Sequence, residues 1–219
     1  MDISVQQGEL TEVSCDLLVV NLFAGVSAPG GGTGAVDGAL GGWISKAIAE
    51  QDFKGKLNST LLLDTLGKIP ATRVLLVGLG ESAKFGAEEI RQVSATAIKA
   101  AKKAKARTVV TLLHGAGIAG IPAESCAQAV AEGALLGGYS FAKYKSKNEE
   151  VPVAKLIIVE HDAEKIADIE SGVSTGTIIA TAVNTTRDLA NEPPNIVTPQ
   201  FLAEYARQMS AELGLQCTI

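Results

Sequence analysis

The chain has 219 residues, of which 47% are hydrophobic but only 4% aromatic, so its core must be built from aliphatic side chains. A net charge of −5 argues against general nucleic-acid binding, which leaves a basic footprint on a protein. The first residues lack the positive flank and apolar run of a secretory signal, and no run of about 18 apolar residues predicts a membrane span. Cys15, Cys126 and Cys217 are too far apart for a disulfide framework or a metal knuckle. We therefore expect a cytoplasmic protein with reduced thiols and no membrane partner.

Short apolar runs alternate with helical patterns along the first two-thirds of the chain. The runs are continuous rather than alternating with polar residues, which indicates strands buried on both faces of a largely parallel sheet. Five such runs occur, at residues 17–22, 61–63, 73–79, 108–113 and 155–159. Helical patterns lie between them at residues 38–51, 88–106 and 123–136. This alternation predicts an α/β sandwich with right-handed crossovers.

Two polar features accompany these elements. The segment of residues 139–153 is predicted to be an exposed loop rather than a domain boundary. A basic cluster near residues 99–107 lies where the second helical pattern ends, and cations are favoured at the carboxyl end of a helix dipole. We interpret the cluster as a solvated helix face, with nucleic-acid contact as the less favoured alternative.

The candidate ligand site is the glycine-rich loop at residues 25–34. Glycines let backbone N–H groups converge on an anion, and the amino end of the following helix adds positive partial charge. Gly30, Gly32 and Ala35 fit G-x-G-x-x-A, but residues 23–29 separate the loop from the strand, which a dinucleotide-binding turn does not allow. The simpler interpretation is a tight surface loop, and the alternative is an anion-binding loop. The candidate residues are Asn21, Gly30, Gly31, Gly32, Thr33 and Gly34.

Other patterns with catalytic associations are weak. Residues 172–176 match G-x-S-x-G, but a charged helical segment precedes them where a strand is required, and no histidine follows Ser174. His114 and His161 each follow a strand, and we interpret both as hydrogen-bonded loop residues because no carboxylate cluster accompanies them. The carboxylates are too scattered for a pair of metal ions. We predict no catalytic residue and no metal ligand in this chain.

The segment after residue 170 has the pattern of a connector between two domains. Residues 171–190 favour a helix, and Pro193 and Pro194 predict that it ends near Asn191.

A new helix is then predicted to begin just beyond the prolines. Thr198 is a good N-cap, Pro199 suits the first helical position, and Gly214 fits a helix stop. Residues 215–219 predict the beginning of a strand.

Three blocks of sequence resemble one protein family. Residues 187–195, together with Thr198 and Pro199, closely resemble the inter-domain signature of the two-metal leucyl aminopeptidases. Residues 29–37 and residues 77–80 resemble the N-terminal domain of that family. The order and spacing of the blocks match over nearly the whole chain.

The resemblance implies a macro-domain-like N-terminal domain, a three-layer α/β/α sandwich with a mixed, mostly parallel sheet. It divides the chain into the macro-like domain at residues 1–170, the inter-domain helix and linker at 171–197, and the start of a catalytic domain at 198–219. We expect the chain to stop before the groups that catalyse, and so to be non-catalytic and metal-free by itself. In this family the full-length enzyme releases N-terminal amino acids from peptides with two divalent metals, zinc or manganese, and forms a homo-hexamer.

Two other functions stay open. Macro domains bind ADP-ribose with an asparagine after a strand and a glycine-rich loop before a helix, and Asn21 and residues 30–34 occupy similar places. The chain lacks the fuller Asn-Ala-Ala-Asn pattern of those domains. Binding of ADP-ribose or another phosphate ligand is therefore an alternative to the aminopeptidase function rather than the main prediction. The remaining function is a role in assembly and partner contacts of the full enzyme.

Overall fold

Six strands form one sheet in the part of the chain that the computed structural model describes, which is residues 1–115, 120–146 and 151–219. The strands are β1 (Asp2–Gln7), β2 (Leu17–Phe23), β3 (Thr60–Asp64), β4 (Arg73–Gly80), β5 (Thr108–Leu112) and β6 (Lys155–Glu160). The α-helices found in the same residues are α1 (Gly31–Ala39), α2 (Trp43–Glu50), α3 (Ala87–Lys103), α4 (Ala123–Gly138), α5 (Ile166–Asn191) and α6 (Pro199–Leu213). Two compact units are present, Met1–Thr181 and Ala182–Ile219, and the sheet belongs to the first.

The sheet has the strand order β1-β6-β5-β2-β4-β3. Neighbouring strands are parallel except β3, which runs antiparallel to β4. One buried cluster joins one face of the sheet to α3, α4 and the start of α5, and a second joins the other face to α1 and α2. The predicted three-layer α/β/α sandwich with a mixed, mostly parallel sheet is therefore confirmed.

The structure departs from the sequence predictions at three places. The helix predicted at residues 38–51 is two helices, because Gly41 and Gly42 have φ of 69° and 79°, which a continuing α-helix cannot contain. Strand β1 was not predicted, because as an edge strand it is only half-buried and mixes polar with apolar residues. Residues 215–219 form no strand, since no neighbouring strand pairs with them.

The connector has the predicted helix boundaries. Helix α5 ends at Asn191, and α6 has Thr198 as its N-cap, with the hydroxyl accepting a hydrogen bond from the Phe201 N–H at 3.2 Å. Gly214 ends α6 with φ of 67°. The division into residues 1–170, 171–197 and 198–219 stays a prediction.

Residues 139–146 form neither helix nor strand, and residues 147–150 of the predicted loop lie outside the described residues. No helix in the described part of the chain is long and apolar enough to cross a membrane.

Glycines set the close packing of α3, α4 and α5. A Cβ atom added at Gly133 of α4 would lie 2.2 Å from the Arg91 carbonyl oxygen of α3. One added at Gly172 of α5 would lie 2.1 Å from the Glu124 carbonyl oxygen of α4. The match to G-x-S-x-G thus lies inside α5, and its glycines let two helices approach rather than shape a nucleophile turn.

We expect Gly133→Ala to destabilise the fold by about 1–3 kcal/mol, because the new methyl group forces α3 and α4 apart. The matched control is Gly38→Ala in α1, where an added Cβ meets nothing within 4 Å. The control should be neutral or more stable by up to about 1 kcal/mol, as alanine favours helix. Urea unfolding followed by circular dichroism measures both. Equal stability of Gly133→Ala and the wild type would contradict the packing argument.

Candidate ligand-binding cavity

A cavity of about 490 Å³ opens at the carboxyl ends of β2, β5 and β6. Ligands of open α/β sheets bind in the crevice at this edge, and the volume suits a small molecule. Of the sequence-predicted site residues, Gly34 is the one that does not line the cavity. The residues that do line it are Asn21, Gly30, Gly31, Gly32 and Thr33. The structure therefore brings the predicted loop and the predicted asparagine together around one space.

The amino end of α1 forms one wall of the cavity. Gly30 is the N-cap, no side chain caps the helix, and its first turn carries no acidic residue. The first helical hydrogen bond runs from the Gly34 N–H to the Gly30 carbonyl at 3.0 Å, so the earlier N–H groups point outward from the helix end. Gly31 has φ of 52°, which favours glycine, and a Cβ added at Gly30 or Gly31 would meet nothing within 4 Å. The wall is open, rich in backbone donors and partially positive.

Two hydrogen bonds fasten the start of α1 to β2. The buried Thr33 hydroxyl donates to the Asn21 carbonyl at 2.9 Å and accepts from the Asn21 N–H at 3.3 Å. The helix end therefore keeps a fixed position beside Asn21.

His114 lies beneath the cavity and holds the Asn21 side chain. Asn21 Nδ2 is 3.0 Å from His114 Nδ1, and His114 Nε2 is 3.4 Å from the Thr111 hydroxyl, which donates to the Leu112 carbonyl at 3.0 Å. This pattern assigns the ring proton to Nε2, with Nδ1 accepting from the amide. His114 is 1% exposed, and burial lowers its pKa to about 4, so the ring is neutral near pH 7. Among the described residues Asn21 Oδ1 has no hydrogen-bond partner.

The opposite wall carries ionisable groups from the end of β6. Glu160 is 8% exposed; its Oε1 accepts from the Asp162 N–H at 3.1 Å and lies 3.0 Å from His161 Nδ1. Lys165 also lines the cavity and pairs with Asp162 at 3.1 Å. That pairing raises the pKa of the Lys165 ammonium and lowers the pKa of the Asp162 carboxyl. Sequence reasoning interpreted His161 as a hydrogen-bonded loop residue and missed Glu160 and Lys165, since only the strand order brings β6 close to β2.

The described residues contain no cluster of three or more His, Cys, Asp or Glu side chains that could hold a metal ion. The residues present therefore do not fit a pair of catalytic cations, and no step of metal chemistry is assigned to them. The cysteines are free, and burial raises the pKa of both Cys15 and Cys126 to about 11, which keeps these thiols protonated near pH 7.

Solved macrodomains share the fold. A Trypanosoma brucei macrodomain, solved in complex with ADP, aligns with a TM-score of 0.61 over 78% of this chain and 69% of that chain, at 16% sequence identity. The domain therefore has the fold of the macrodomains, as predicted. A tomato leucine aminopeptidase mutant aligns with a TM-score of 0.82 and 26% identity, over 98% of this chain and 43% of that chain.

The sequence comparisons are more specific than the fold. The profile described as "Cytosol aminopeptidase family, N-terminal domain" matches residues 19–148. A probable cytosol aminopeptidase of Geobacter sulfurreducens is 37% identical over the whole chain, and one of Alkaliphilus metalliredigens is 33% identical. The chain spans 44% of the length of each of these relatives. This chain belongs to the cytosol aminopeptidase family and corresponds to its N-terminal domain, which confirms the resemblance.

The buried histidine predicts a pH-dependent stability. The folded pKa of His114, about 4, lies below the value of 6.5 for a free histidine, so the unfolded chain binds the proton more readily. The contribution of the neutral, buried His114 to the free energy of unfolding is complete above pH 6.5, and it is lost as the pH falls from 6.5 to 4. Over that interval the wild type should lose about 3 kcal/mol more unfolding free energy than His114→Asn.

Urea unfolding at a series of pH values measures this difference. The control is His161→Asn, at the other histidine of the described chain, in which the contribution of His114 should persist. If His114→Asn and the wild type lose the same stability between pH 7 and pH 4, His114 is not the group responsible.

Proposed function

We propose that this chain is the non-catalytic N-terminal domain of an aminopeptidase whose full-length form releases N-terminal amino acids from peptides. Two observations carry the proposal: the whole chain aligns with 44% of the length of proteins named probable cytosol aminopeptidases, and the profile of the family's N-terminal domain matches residues 19–148. The absence of a metal-binding cluster among the described residues is consistent with catalytic groups that lie in the part of the relatives this chain does not match.

The proposal extends to the cofactors and assembly of the full-length protein. We propose two divalent cations, zinc or manganese, in its catalytic domain, a cytoplasmic location and a homo-hexamer. Peptides are its substrates.

The activity of the two forms tests this proposal. The 219-residue chain should release no p-nitroaniline from leucine p-nitroanilide, with or without added Mn²⁺ or Zn²⁺. The full-length protein should hydrolyse it, lose activity with a chelator and regain it with either metal. Light scattering of the full-length protein checks the hexamer. Metal-dependent hydrolysis by the 219-residue chain alone would refute the non-catalytic assignment.

The cavity supports a second function. We propose that the amino end of α1 binds an anionic group, either a phosphate, as in ADP-ribose, or a carboxylate. Three features support the proposal: the helix has no capping side chain, its first turn has no acidic residue, and the space beside Gly30 and Gly31 is open. The two hydrogen bonds between Thr33 and Asn21 hold this helix end in place before any ligand arrives.

Gly30→Asp should weaken anion binding without unfolding the protein. Aspartate at an N-cap accepts hydrogen bonds from the free N–H groups and neutralises the helix end, so helix stability should rise by a few tenths of a kcal/mol. Calorimetric titration with inorganic phosphate should show binding at least about tenfold weaker than in the wild type.

The control is Gln51→Glu, which adds the same charge at an exposed position that does not line the cavity. Unchanged phosphate affinity in Gly30→Asp, with thermal stability retained, would remove the loop as an anion site.

A further inference from the structure

We infer that the cavity binds a short peptide, with its carboxylate at the amino end of α1, a backbone N–H at Asn21 and its terminal ammonium at Glu160. The inference rests on the proposed anion site and names its ligand. It requires acceptors at one end of the cavity, donors at the other, and a separation that matches two or three residues.

The acceptor end is the Glu160 carboxylate. Its side chain is more than nine-tenths buried and lines the cavity, and Oε2 has no hydrogen-bond partner among the described residues. The one fully enclosed side-chain N or O atom without a partner in those residues is Trp43 Nε1. Glu160 Oε2 is therefore not fully enclosed, and Glu160 is one of the residues that line the cavity. A nearly buried carboxylate with one unpaired oxygen is suited to a ligand that donates hydrogen bonds and carries positive charge.

Asn21 supplies a second acceptor between the two ends. His114 accepts from its amide nitrogen at 3.0 Å, which fixes the amide and leaves Oδ1 without a partner among the described residues. Asn21 Oδ1 is not among the fully enclosed atoms without a partner in the described residues, so it has some solvent exposure, and Asn21 lines the cavity. A backbone N–H of a peptide is the donor that such an oxygen accepts from.

The charges favour a zwitterion over a diphosphate. The ionisable residues that line the cavity in the described chain are Glu9, Glu160, His161 and Lys165, which carry two carboxylates, one imidazole and one ammonium. The ammonium is already paired with Asp162 at 3.1 Å. A diphosphate would add negative charge opposite a nearly buried carboxylate. A peptide with both termini free adds no net charge, and it places its ammonium at Glu160 and its carboxylate at the amino end of α1.

The strand order sets the length of the ligand. One strand, β5, separates β6, which carries Glu160, from β2, which carries Asn21. Neighbouring strands lie about 4.8 Å apart, so the two backbones are roughly 10 Å apart. An extended chain rises about 3.3 Å per residue. Two or three residues therefore span the distance, a single amino acid does not, and the apolar Leu10, Phe23 and Leu112 on the walls can contact apolar side chains.

The test uses the 219-residue chain and blocked peptides in calorimetric titration. The tripeptide Leu-Gly-Gly should bind, and N-acetyl-Leu-Gly-Gly and Leu-Gly-Gly-amide should each bind at least about tenfold more weakly, because each loses one charged contact. Free leucine should bind more weakly than the tripeptide. These comparisons use the wild-type protein, so they do not depend on whether a variant folds.

Two variants locate the contacts. Glu160→Gln keeps the oxygen that accepts from Asp162, and it should weaken Leu-Gly-Gly about tenfold while leaving the N-acetyl form unchanged. Gly30→Asp should weaken Leu-Gly-Gly but leave the amide form unchanged, and Gln51→Glu is the control for added charge.

Three outcomes would overturn the inference. One is no heat with Leu-Gly-Gly at millimolar concentration. Another is equal affinity for the free and blocked peptides. The third is tight binding of ADP-ribose that displaces the peptide, which assigns the cavity to a nucleotide. If inorganic phosphate binds and the peptide does not, the proposed anion site stands and the peptide inference fails, so the two are separable. Neither result bears on the aminopeptidase assignment.

Discussion

The hydrogen bonds that join Thr33, Asn21 and His114 are the constraint on which the functional edge of the domain depends. They connect α1, β2 and the segment after β5 at the carboxyl edge of the sheet. Thr33 and His114 are almost wholly buried, so a broken bond would leave an unpaired polar group away from water. The network therefore keeps the amino end of α1 and the Asn21 amide in place without help from a ligand, and burial keeps His114 in the neutral form that accepts from this amide.

The layer formed by α3, α4 and α5 is held together by close contact between helix backbones. Gly133 and Gly172 remove side chains where two helix backbones meet, so α4 lies against carbonyl groups of α3 and its own carbonyls lie against α5. Dispersion contacts depend steeply on distance, and this closeness increases them. The buried Glu132 of α4 pairs with Arg91 of α3 beside Gly133, so close packing and a buried ion pair share one interface. This layer covers the face of the sheet opposite α1 and α2.

The domain has the macro-domain fold but belongs to an aminopeptidase family, so its fold does not by itself indicate its chemistry. The described residues have no cluster that fits catalytic cations, yet the sheet keeps a cavity at the edge where α/β proteins bind ligands. Our proposals connect these observations: hydrolysis belongs to the part of the family's proteins beyond this chain, and the cavity binds a small anionic group. The ionisable groups at the end of β6 distinguish the cavity from a simple phosphate site, because Glu160 opposes a second negative charge.

Local sequence determined most of the elements and left their arrangement open. Continuous apolar runs predicted five strands, the two prolines predicted where α5 ends, and Thr198 predicted where α6 begins, because burial periodicity, proline geometry and capping act over a few residues. The glycine loop and Asn21 were grouped as a candidate anion site; both line the cavity, and anion binding there stays a prediction. Strand β1 and the break at Gly41 and Gly42 were missed, since an edge strand needs little apolar surface and glycine alone does not specify a φ. Only the tertiary structure decided that β6 lies one strand from β2 and so brings Glu160 opposite α1, because strand order arises from pairing between segments that are distant in the chain.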